Sequence, residues 1–128
     1  MRLLVITWIA IAAAQTCCAL SPPVFTAAYY LSDPQRYLNK KTTLAVAFLT
    51  SRNEQRPDHL RLLDAYTYNI GQSGGHISVV TTKSNAQRLI TLCGSRLRFS
   101  GRRVKVTMLQ GTFLQERDGK RGYYFFVP

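Results

Sequence analysis

"KSNAQRLITLCG", residues 83–94, carries a well-bounded helical pattern late in a chain that otherwise reads as strands. Ser84 is a good N-cap residue, and Gly94 stands where a left-handed C-cap belongs. Between them Ala86, Leu89, Ile90 and Cys93 fall at helical spacing along a single stripe. A helix this short and this one-sided must cover something apolar. The open end of a small β-barrel is the natural candidate.

The segments around it supply the strands. "TTLAVAFLT" places Leu44, Val46 and Phe48 on one face and Ala45, Ala47 and Leu49 on the other, so both faces are apolar and the strand is central or serves two sheets. "HLRLLDAYTYNI" has two registers. Strict alternation from Leu60 and Leu62 puts Asp64 in the core, whereas a bulge near Leu63 turns Leu63 and Ala65 inward and Tyr66 and Tyr68 outward. "GQSGG" reads as a turn and "HISVVTT" as a third strand with Ile77 and Val79 on one face. After the helix comes a long strand in which Val104, Val106 and Met108 oppose Arg103, Lys105 and Thr107, and Gly111 marks a bend or bulge. A tight turn at Asp118–Gly119 leads to a last strand, "YYFFVP". Before the first strand, "LSDPQRYLNKK" forms a helical turn with Ser32 or Asp33 as cap and Pro34 at the first position.

The chain has 128 residues, room for one domain. Its opening, "MRLLVITWIAIAAAQTCCALSPP", follows the order of a secretory signal peptide: a positive charge at Arg2, an apolar run, and small residues before paired prolines. We expect a signal peptide over residues 1–19 and a domain over 20–128, exported to the periplasm or secreted. Lipid attachment at Cys17 or Cys18, or an uncleaved anchor over Leu3–Leu20, are the minor alternatives. Cleavage after Ala19 leaves Cys93 as the one thiol, so the fold relies on burial rather than on a disulfide. Formal net charge is +11, a potential that draws in anions.

The order strand, strand, strand, helix, strand, strand is the layout of the OB-fold, a five-stranded Greek-key barrel with its helix between the third and fourth strands. From Asp33 to Val127 the chain resembles the OB-type domains of exported bacterial proteins related to the transfer-RNA anticodon-binding group. The phrases that carry the resemblance are "DPQRYLNKKTTLAVAF", "NAQRLITLCGSRLRFSGRRVKVTMLQGTF" and "GKRGYYFFV". The first strand departs from the pattern, because "LAVAFLT" has no glycine at which such a barrel bends.

Catalytic signals are missing. His59 and His76 are the only histidines, and neither has a cysteine or carboxylate cluster beside it at metal-ligand spacing. There is no nucleophile elbow and no phosphate-cradling glycine loop with lysine. The chain therefore reads as non-enzymatic, with no metal and no cofactor expected.

Binding is better supported. An OB-fold binds ligands on the face of its second and third strands, between the loop joining strands one and two and the loop joining strands four and five. Here those loops carry Arg52 and Arg56 in one and Arg117, Lys120 and Arg121 in the other. In the bulged register Tyr66 and Tyr68 lie on the same face, and aromatics bordered by cations grip single-stranded nucleic acid. An anionic glycan, a lipid surface or a protein partner would suit the same basic barrel. A second stripe, Arg96, Arg98, Arg102, Arg103 and Lys105, is expected on another side.

Overall fold

The computed structural model describes residues 21–52, 59–94, 104–117 and 122–128. The signal-peptide reading of 1–19, the Asp118–Gly119 turn and most of the second basic stripe lie outside them. Among the described residues two short helices come first, α1 (Ala27–Leu31) and α2 (Pro34–Tyr37), followed by β1 (Lys41–Ser51), β2 (Leu60–Asn69) and β3 (Gln72–Thr82). Helix α3 (Lys83–Cys93) separates these from β4 (Thr107–Gln115) and β5 (Tyr123–Val127). The strands close into a barrel in the order β1-β2-β3-β5-β4, so the protein is mostly β with one helix between the third and fourth strands.

Strand β1 is shared as its two apolar faces require. Its first half, Lys41 to Val46, pairs with β4, and its second half, Val46 to Ser51, pairs with β2. Residues 44–49 are all buried. Its curvature comes from a bulge at Ala47, the extra residue between the Val46–Thr67 and Phe48–Tyr66 pairs. A bulge bends the strand where the sequence offers no glycine. It also reverses the phase, so Leu44, Val46 and Leu49 enter the core while Phe48 pairs with Tyr66 on the outer face.

Strand β2 takes the phase with Leu63 and Ala65 inside, without a bulge at Leu63: pairing with β3 is regular from Leu60–Thr82 to Tyr66–His76. The irregularity falls one step later and on β3, where Gly74 and Gly75 oppose Thr67 alone. The turn also differs from expectation. Ile70 and Gly71, both at positive φ, make a two-residue hairpin loop, and "QSGG" belongs to β3. Gly74 lets Thr26 approach so closely that a Cβ at position 74 would lie 2.1 Å from the Thr26 Cβ.

Three other expectations are corrected. Helix α3 starts at Lys83 with Thr82 as N-cap, so Ser84 sits in the first turn; the Lys83 amide donates to the His59 carbonyl at 2.9 Å, which holds the helix start in place of a side-chain cap. Strand β4 begins at Thr107 and turns Leu109 and Phe113 into the core, leaving Met108 exposed. Gly111 does not bulge the strand, whose pairing with β1 is continuous through it. It is needed because a Cβ there would lie 2.4 Å from the Phe126 carbonyl oxygen and 2.6 Å from the Phe125 ring.

The core is stoppered at both ends. Helix α3 contributes Ala86, Leu89 and Cys93 to it, and the Leu49 amide bonds back to Gly94, whose φ of +86° ends the helix. At the other end α1 contributes Ala27 and Tyr30, and the Tyr30 hydroxyl donates to the Thr43 carbonyl. Burying a side chain the size of Tyr30 stabilises the fold by roughly 1.5–3 kcal/mol. Helix α2 then turns the chain into β1, with Pro34 in its first turn and Asp33 at the N-cap position making no side-chain cap bond.

Two outcomes are expected. Gly111→Ala should lower unfolding stability by roughly 1–3 kcal/mol in chemical denaturation, as overpacking against backbone does. Burial raises the Cys93 thiol to about 11, with the Thr107 hydroxyl opposing part of the shift. Because the folded state favours the neutral thiol, that contribution is present below the unfolded value of 9.0 and is lost as pH rises through about 11. With Cys17 and Cys18 changed to serine, a thiol reagent at pH 8 should find no reactive group until the chain is denatured, and one afterwards.

Candidate functional site

The phase of β2 decides which side chains meet on the outside of the barrel. One row across the strands runs Thr50, Asp64, Ser78 and Tyr124, and the next runs Phe48, Tyr66 and His76. The second row is a file of rings. Phe48 stacks on Tyr66 with centroids 4.4 Å apart and planes 16° from parallel, and His76 follows at 5.5 Å and 31°. β1 and β3 flank β2, so Tyr66 has a ring neighbour on each side while remaining 37% exposed.

Beside this file a groove of about 340 Å³ opens between β3 and the start of β5. Arg52, Asp64, His76, Ser78 and Tyr123 border it. Of the three rings in the file, only His76 borders the groove. Tyr123 is held from both directions, its ring stacked on Phe113 at 5.3 Å and its hydroxyl accepting from the Gln35 amide at 3.2 Å. Arg52, half-exposed, sets its Nε 3.6 Å from Asp64 Oδ2, and the Asp64 side chain is 18% exposed. The ion pair keeps a carboxylate at the groove without leaving its charge unopposed.

The structure thus brings two of the expected residues together, Arg52 on the groove and Tyr66 one row away. Tyr68 is half-buried further along β2, and Arg117 is exposed just past β4; neither borders the groove. Arg56, Lys120 and Arg121 lie outside the described residues. Lys105, the one described member of the second stripe, is exposed. Of the groove residues named above, four escaped the sequence reading: His76, Asp64, Ser78 and Tyr123. His76 faces Tyr66 directly across the strands only because the bulge at Gly74–Gly75 adds a residue to β3; a regular hairpin turning at Ile70–Gly71 would set Gly75 opposite Tyr66.

Among the described residues no group of three histidine, cysteine or acidic side chains could hold a metal ion, and no helix is long and apolar enough to cross a membrane. Comparison with known proteins adds no relative. No family model, no curated protein and no solved structure matches the chain.

An ion pair of this length whose guanidinium is half in solvent contributes little to folding. Arg52→Met should therefore change unfolding stability by less than about 1 kcal/mol, with the difference shrinking as salt is added, when measured by urea denaturation at two ionic strengths.

Proposed function

We propose that this chain is an exported, non-enzymatic OB-fold module, akin to the transfer-RNA anticodon-binding-like group, that binds an anionic ligand, with single-stranded nucleic acid as the first choice. The strand order β1-β2-β3-β5-β4 with α3 between β3 and β4 supports the OB reading. The observation that carries the binding reading is the file Phe48–Tyr66–His76 on the outer face of β1, β2 and β3, ending at a groove that Arg52 borders. Bases stack on an aromatic surface while the phosphate backbone follows the cations.

In this reading the ligand contacts are Arg52, Tyr66 and Tyr68 with the loop cations Arg56, Arg117, Lys120 and Arg121. The geometry of the file adjusts their roles. With a ring neighbour on each side of Tyr66, His76 offers the stacking surface at the groove and Tyr66 braces it from behind. The excess of 17 basic over six acidic residues supplies long-range attraction.

An oligothymidylate of about 12 nucleotides, within the ~4–16 that an OB barrel tracks, should bind the full-length chain in neutral detergent at low salt. Its affinity should fall steeply between about 50 and 200 mM salt through counterion release. His76→Ala should cost roughly 1–3 kcal/mol of binding by fluorescence anisotropy. Equal binding of a sulfated glycan or of anionic vesicles would move the assignment to those ligands. Failure of all three to bind would leave the protein-docking reading.

A further inference from the structure

The groove contains a feature that a general polyanion site would avoid. Asp64 puts a carboxylate on its lining, on the row next to the ring file and directly opposite Ser78 across the strands. A sulfate, carboxylate or phosphate group entering the groove would bring only acceptors and negative charge, which a carboxylate repels. A ligand that carries its negative charge on a backbone and hydrogen-bond donors on a separate ring edge suits Asp64 and Arg52 together. Nucleotides have that division.

The dimensions favour one base rather than a length of polymer. A volume of about 340 Å³ is at the small end of ligand pockets. His76 borders it on β3 and Tyr123 on β5, and both rings are held by aromatic neighbours. Residues two apart on a strand are about 7 Å from each other, so a base on His76 brings its edge toward the row that holds Asp64 and Ser78.

The donor pattern then selects the base. An ionised carboxylate only accepts, through two oxygens. Guanine presents two adjacent donors on its pairing edge, N1–H and N2–H, which match those oxygens. Adenine and cytosine each offer one amino group beside a ring nitrogen acceptor, and thymine or uracil offers one N–H between two carbonyl acceptors. Single-stranded bases are read on this edge when they are splayed out of a stack.

We propose that the groove between His76 and Tyr123 takes a single guanine base of a nucleic-acid strand, with Asp64 accepting from its N1–H and N2–H and Arg52 holding the carboxylate and facing the backbone. This rests on the anionic-ligand reading above and narrows it to a base. The test uses the full-length chain and short thymidylate strands carrying one central guanine, adenine or cytosine, titrated at one fixed salt concentration and then across a salt series. The guanine strand should bind on the order of tenfold tighter than the others, as a bidentate contact discriminates. Asp64→Asn, which replaces one acceptor by a donor, should abolish that preference and leave the salt slope unchanged.

Equal affinity for all the strands with a steep salt slope overturns the guanine assignment and leaves the anion-binding reading standing. A guanine preference that survives Asp64→Asn in a variant with an unchanged melting curve overturns the role of Asp64. Absence of binding by every strand at low salt overturns both. The comparison among strands is made on the unaltered chain, so it holds whether or not the variant folds.

Discussion

The buried hydroxyl of Thr67 holds the architecture together. It accepts from the Ala27 amide at 2.9 Å and donates to the Gly75 carbonyl at 2.8 Å, which joins the first helix, the second strand and the bulge of the third at one atom. Left unpaired at 2% exposure, such a group would cost about 1–3 kcal/mol. Because Thr67 must point inward, Leu63 and Ala65 do as well, and Asp64 and Tyr66 must point outward. The outer surface and its groove follow from that phase.

That dependence explains what could be read in the sequence. The strands and the helix announce themselves through local periodicity, and α3 shows its buried stripe at Ala86, Leu89 and Cys93. The phase of β2 is not local. Leu62 and Leu63 are both apolar and both buried, so hydrophobicity alone cannot say which faces the core; the partner of Thr67 lies 40 residues away. The same distance hides α1. "AAYYL" has only five residues, too few for a period to show, and its burial depends on Gly74 admitting Thr26 against the third strand.

The site was legible in its residue types more than in its geometry. Arginine at the end of β1 and an aromatic on β2 were visible, and both stand at or beside the groove. The sequence could not show that Phe48 and His76 would close on Tyr66 from either side. That follows from two bulges, at Ala47 and at Gly74–Gly75, which set the strands so that the three rings fall in one row. Bulges leave little mark in a sequence beyond a glycine, and the one at Ala47 leaves none. Nor does charge counting show that Arg52 would meet Asp64, which turns a simple cationic rim into a mixed one.

The placement of α1 also bears on the order of events during synthesis. The ribosome delivers this helix before any strand of the barrel, yet its socket does not exist until the β2–β3 hairpin has formed. A helix made before the strands must therefore wait for them, because Ala27 bonds to Thr67 on β2 and Thr26 packs against Gly74 on β3. A slipped hairpin would deprive Ala27 of its bond to Thr67, while Tyr30 packs on β1 and β4 through Thr43 and Phe113, so only half of the helix's anchorage checks the pairing of the hairpin.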